Sequence, residues 1–156
     1  MRSHLGALQA ALVVLPLRAN DPFVGTWELN VAKSKLAGPY TTLRSENLVI
    51  QEQGDQFLII ANVTRQDGST GNSKEEVSKN GGDLNYIEGT LPPGVSRRVK
   101  RVNAYTIEIT TLLNGVQVQV DSVVVDRNGR EMRIIRRGAV PSGMPFESTE
   151  LLERNE

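Results

Sequence analysis

The chain of 156 residues carries no Cys and a single His, His4. Beyond the N-terminal segment its chemistry therefore rests on carboxylates, tyrosines, lysines and arginines. Zinc sites built from Cys and His, Fe–S clusters and haem held through an axial His or Cys are excluded by that inventory. So are Cys nucleophiles and Ser-His-Asp triads. No metal and no cofactor is expected. Glu28, Glu108 and Asp121 fall inside β-patterned segments, where burial would raise a carboxyl pKa toward the range useful for acid–base catalysis. Their spacing singles out no catalytic pair, and no catalytic residue is assigned. Tyr40, Tyr86 and Tyr105 could touch a ligand, but with 3 Tyr, 3 Phe and 1 Trp an aromatic-rich pocket is not expected.

Register arithmetic offers one binding constellation. If Asn103-Ala104 and Asn114-Gly115 are two-residue turns, Lys100 faces Ile107 and Arg98 faces Ile109. These share a face with Tyr105, Val118, Val120 and Val124, and an even-length turn at Asn128-Gly129 adds Arg133, Ile135 and Arg137. Turned inward, Arg98, Lys100, Arg133 and Arg137 would line an apolar cavity beside Tyr105 and seat an anionic head group. Turned outward, they are solvated charges on the exterior. A one-residue slip at any turn exchanges the two readings.

The elements that must position these residues are strands. From Asp21 onward, β-branched alternation is broken by turn signals: Gln53-Gly54-Asp55, Asp67-Gly68-Ser69, Asn80-Gly81-Gly82-Asp83, Leu91-Pro92-Pro93-Gly94, Asn103-Ala104, Asn114-Gly115 and Asn128-Gly129. About ten strands lie between them, near 24–32, 44–53, 56–65, 71–80, 83–88, 95–102, 105–113, 116–126, 130–137 and 146–154. Strands joined by hairpins form an antiparallel meander, and one this long avoids exposed edges by closing. The expected fold is all-β, an antiparallel up-and-down closed barrel in a single domain over 21–156, with a two-sheet sandwich as the alternative. The longest stretches outside strands, Lys33–Leu43 and Gly138–Pro145, are rich in Gly, Pro and Ser and read as loops.

Residues 1–20 read differently. Leu5–Leu15 is an uncharged run behind Arg2 and ahead of Pro16-Leu17-Arg18-Ala19, the layout of a short signal peptide. The run is too short for a transmembrane helix. The alternative is an amphipathic N-terminal helix with Leu5, Leu8, Leu12 and Leu15 on one face. A signal peptide implies export to the periplasm or the exterior; without it the chain is expected in the cytoplasm. Eighteen basic against eighteen acidic residues leave a formal net charge of zero, so the electrostatic field that nucleic-acid binding needs is absent.

Asp21-Pro22-Phe23-Val24-Gly25-Thr26-Trp27, with Leu29-Asn30 and Ala32-Lys33-Ser34-Lys35, is similar to a group of small exported bacterial lipocalin-like proteins to which no function is assigned. The G-x-W arrangement in the first strand resembles the calycins, the lipocalins and fatty-acid-binding proteins. The likeness continues through Lys100-Arg101-Val102, Tyr105-Thr106-Ile107-Glu108-Ile109 and Asp126-Arg127-Asn128-Gly129. It implies that Trp27, beside Gly25, closes one end of the barrel and that Arg154 stacks across it. Eleven residues, Lys33 to Leu43, are too few for the helix-turn-helix lid of the fatty-acid-binding proteins. Thr149–Arg154 also lacks their Arg-x-Tyr. The function implied is binding of a small hydrophobic or amphipathic molecule in the interior. The alternatives are a cyclase- or isomerase-type barrel enzyme using cavity shape with a carboxylate or Tyr, and a packed interaction module with no ligand. Oligomeric state is not legible.

Overall fold

The structure, a computed structural model, describes residues 20–155. The expected signal peptide or N-terminal helix therefore lies outside the described residues. Eleven strands follow in order: β1 (Gly25–Leu29), β2 (Leu43–Gln53), β3 (Gln56–Arg65), β4 (Thr70–Ser78), β5 (Gly81–Asp83), β6 (Asn85–Glu88), β7 (Val95–Asn103), β8 (Thr106–Leu113), β9 (Val116–Val125), β10 (Glu131–Ala139) and β11 (Pro145–Asn155). All pairings are antiparallel. The loop between β1 and β2 contains two short 3₁₀ turns, Val31–Lys33 and Gly38–Tyr40.

One sheet contains every strand, in the order β5-β7-β8-β9-β10-β11-β1-β2-β3-β4-β6. Its two ends are consecutive in sequence, and this nearly closes the barrel. The segment expected as one strand over 83–88 breaks at the buried Leu84: Gly81–Asp83 pairs with β7, while Asn85–Glu88 pairs with β4. A single bent ribbon thus spans the seam between β4 and β7. Strand edges that would otherwise be open are occupied by this chain's own residues.

Alternation decides what faces inward. Trp27, Leu29, Ile50, Phe57, Val77, Val99, Val123, Val125, Met132, Ile134 and Leu152 form one buried cluster, each separated from its strand neighbour by an outward residue. The Asn114-Gly115 turn has both residues at positive φ, 49° and 81°, and joins Leu113 directly to Val116, as a type I′ hairpin requires.

One end is sealed from the N-terminal side. Phe23 is buried against Phe57, with ring centroids 6.4 Å apart, and accepts through its carbonyl a hydrogen bond of 3.0 Å from the Trp27 indole. The Arg154 guanidinium lies over the Trp27 ring, 4.2 Å from its centroid. Its Nε donates to the Gly129 carbonyl at 2.6 Å, Nη1 to Val24 at 2.6 Å and Nη2 to Pro22 at 3.0 Å. Residue 25 must be glycine for this arrangement: its φ is +148°, and a Cβ there would collide with the Arg154 guanidinium. Arg154 therefore ties the entering segment and the β9–β10 turn to the last strand. Arg154→Met should lower unfolding free energy by about 2–4 kcal/mol in urea, because it removes the cation–π contact and leaves carbonyls unpaired. A loss below about 0.5 kcal/mol would show that this end closes without it.

Candidate functional site

The barrel encloses a cavity of about 420 Å³, inside the range of ~300–1,000 Å³ typical of small-molecule sites. Its composition is graded along the barrel. On β2 the inward residues run Ile50, Leu48, Glu46; on β4, Val77, Glu75; on β7, Val99, Arg97. On β9 they run Val123, Asp121, Gln119, and on β10 Met132, Ile134, Arg136. The registers align these series in one direction, Val123 opposite Ile134 and Asp121 opposite Arg136, Phe57 opposite Val77 and Ile59 opposite Glu75. Phe23, Phe57 and Met132 thus floor the cavity and charged groups crown it.

The crown is organised around Arg136. Its Nε and Nη2 donate to the two oxygens of Glu150 at 2.8 and 3.0 Å, and its Nη1 donates to Asp121 Oδ2 at 2.8 Å. Its guanidinium also sits over the Tyr40 ring, 4.6 Å from the centroid. Burial alone would lower the Arg136 pKa, but Glu150 and Asp121 outweigh it and hold the charge on. Asp121 and Glu150 are fully buried. The Gln119 amide donates to Asp121 Oδ1 at 2.8 Å and to the Tyr40 hydroxyl at 2.7 Å. Across the seam, Arg97 donates to the Tyr86 hydroxyl at 3.3 Å and lies 3.8 Å from Glu75 and 3.7 Å from Asp121. Burial pushes the Tyr86 hydroxyl pKa up.

Glu46 completes the ring of acids and differs from the rest. It is 7% exposed and lines the cavity, and among the described residues no hydrogen bond supports its carboxylate. Burial pushes its pKa from 4.5 to about 7, reinforced by Glu150 and opposed by Arg136 and Arg97. Glu46 faces inward because it shares the parity of Leu48 and Ile50 on β2, and a bulge between Leu43 and Ser45 lets Leu43 point into the barrel as well.

The residues proposed from register stand elsewhere. Arg98, Lys100, Arg133 and Arg137 are exposed on the outer face, Arg98 paired with Asp83 at 3.3 Å and Arg137 with Glu147 at 2.8 Å. Tyr105 is half-buried beneath Arg127, 4.8 Å from its ring, and does not line the cavity. The inward reading of the basic set is therefore corrected, and its cause is two bulges. One between Arg101 and Asn103 shifts Ile107 opposite Arg101 rather than Lys100, turning Arg97 and Val99 inward. A second, between Thr111 and Leu112, sets Gln119 opposite Thr111 and inverts β9. Val120 and Val124 do share a face with Arg133 and Arg137, Val124 opposite Arg133 and Val120 opposite Arg137, but on the outside. Of the three carboxylates considered, Glu28 is exposed, Glu108 pairs opposite Lys100, and only Asp121 joins the cluster. Glu46, Glu75, Arg97, Arg136 and Glu150 were missed. Each sits two positions from an apolar core residue on its own strand, which is the signal that finds them.

No protein-family model matches this chain, and no curated protein matches it. Among solved structures, apocrustacyanin C1 is similar with a TM-score of 0.46 at 12% identity, covering 86% of this chain and 62% of that one. Lobster apocrustacyanin A1 gives a TM-score of 0.46 at 12% identity over 87% and 62%, and apocrustacyanin C2 gives 0.46 at 13% over 86% and 62%. The chain spans less than two thirds of the length of these neighbours. Among the described residues no helix is long and apolar enough to cross a membrane.

The Glu46 carboxyl couples pH to stability. Between its ordinary value of 4.5 and about 7 the folded chain holds a proton that the unfolded chain has lost. The resulting stabilisation is full below the lower value and disappears as pH rises through the upper one. Glu46→Gln keeps the shape without the titration. The stability of the native sequence relative to this variant should fall between about pH 5 and pH 7, by at most about 1.4 kcal/mol per unit. Parallel denaturation midpoints across that interval would show that Glu46 does not titrate there.

Proposed function

We propose that this lipocalin-like barrel binds a small, at least partly apolar molecule in its interior. One observation carries the reading: a cavity of about 420 Å³ with an apolar floor and a converging set of polar groups at its other end. Apolar surface removed from water there supplies affinity, and a few fixed polar groups supply orientation. The loss of the anion seat leaves this reading intact, since the crown formed by Glu46, Glu75, Arg97 and Arg136 provides polar partners of its own. A cavity of this size argues against a fully packed interaction module. Export through the segment preceding the barrel belongs to the same proposal.

A second reading, a barrel enzyme, is favoured by one feature. A cavity-lining carboxyl with its pKa raised to about 7 is suited to moving a proton to or from a bound substrate. The two readings share the cavity and differ in whether the bound molecule is returned unchanged.

The uncharged dye N-phenyl-1-naphthylamine tests occupancy. Its fluorescence should rise with saturable single-site binding to the native chain. Ala61 lines the wall, and Ala61→Trp should abolish the rise while the far-ultraviolet circular dichroism stays that of a β protein. Absence of any saturable signal with the native chain would replace the binder by the interaction module.

A further inference from the structure

We propose that the ligand is an organic cation, a protonated amine on an apolar body, with the Glu46 carboxylate as its counter-ion in the cavity. This rests on the interior-binding reading and names its ligand class. Glu150 engages Arg136 through both oxygens, and Asp121 accepts from Arg136 and Gln119. Glu75 accepts from the Ser73 hydroxyl at 3.1 Å and stands 3.8 Å from Arg97. Glu46, on the cavity wall and 7% exposed, has no such partner among the described residues. Among the described residues no fully buried polar side-chain atom lacks a partner, so the Glu46 carboxylate opens onto the cavity, where a bound cation supplies both the charge and the hydrogen bond.

The charge balance points the same way. Glu46, Glu75, Asp121 and Glu150 are buried together, while only Arg97 and Arg136 enter the cluster from the basic side. Lys79 also reaches the cavity wall, but its ammonium is held by Glu52 at 3.2 Å. Among the described residues, each cation that reaches the cavity already stands beside a carboxylate, and the buried carboxyls outnumber the guanidiniums by two. The groups that act on Glu46 come from several strands: Glu150 on β11 repels its charge, and Arg136 on β10 and Arg97 on β7 attract it. Glu75 on β4, Tyr86 on β6 and Tyr40 share the same end of the cavity. A bare metal ion is a poorer occupant, because among the described residues no three ligating side chains converge. Below the crown, Ile50, Phe57, Val77, Val99, Val123 and Ile134 would enclose the apolar body.

Octylammonium, octanoate and 1-octanol carry one chain with three head groups, and each can be titrated by displacement of N-phenyl-1-naphthylamine. Near pH 8.5, octylammonium should bind the native chain at least about tenfold more tightly than 1-octanol, with octanoate weakest. At about pH 5.5 the ammonium advantage should shrink several-fold, since Glu46 then carries its proton while octylammonium stays charged. Glu46→Gln should lose most of the advantage and most of its pH dependence while its far-ultraviolet circular dichroism stays that of a β protein, and Arg133→Gln, on the outer face, should keep both. Octanoate binding as tightly as octylammonium overturns the proposal, as does a full ammonium preference in Glu46→Gln. Uptake of 1-octanol without any ammonium preference defeats this inference alone. Failure of all three probes defeats interior binding itself.

Discussion

The interior of this barrel is organised by one guanidinium. Arg136 sits between Glu150 and Asp121, with three charge-assisted hydrogen bonds of 2.8 to 3.0 Å, in a place where both carboxylates are wholly removed from water. Buried ions of this kind contribute little net stability against apolar replacements, but removing one partner typically costs ~3–5 kcal/mol because the other is stranded. The pairing therefore acts as a constraint. It ties β9, β10 and β11 into one register and recruits Gln119 and Tyr40. With the crown occupied by charge, most of the hydrophobic cluster gathers toward the opposite end. There Trp27, Phe23 and Met132 fill the floor and Arg154 closes it.

The seam follows the same logic on a smaller scale. A meander of this length could have closed by pairing 83–88 as one strand with both neighbours. Instead Leu84 turns inward, and the flanking pieces take one neighbour each. Arg97, Tyr86 and Glu75 then reach across the gap. The result is a cavity wall in which side-chain pairs replace part of a backbone ladder, at the level where the interior is polar.

Strands and turns were legible in the sequence because they depend on local chemistry. Asn114-Gly115 folds as its positive-φ preference dictates, and β-branched alternation locates the strands within a few residues except Gly81–Asp83, which reads as a turn. The orientation of β7 and β9 was not, because it depends on bulges at Arg101/Asn103 and Thr111/Leu112 that no composition signal marks. One inserted residue per hairpin carried Arg98 and Lys100 outside and brought Arg97 in. The polar crown was hidden for a related reason. An acid on the apolar parity of a strand, as in Glu46-x-Leu48-x-Ile50 or Glu75-x-Val77, breaks the alternation by which inward faces are recognised. Such breaks mark places where folding preference yields to another demand, and here they gather at one end of one cavity.

Native mass spectrometry of the protein purified from its natural source, followed by organic extraction of whatever it releases, tests the central claim most directly. The expected result is a stoichiometric mass increment from a basic, partly apolar organic molecule small enough for a cavity of about 420 Å³. A chain that carries nothing and takes up no apolar molecule offered to it, or one that releases an organic acid as its bound partner, would contradict it.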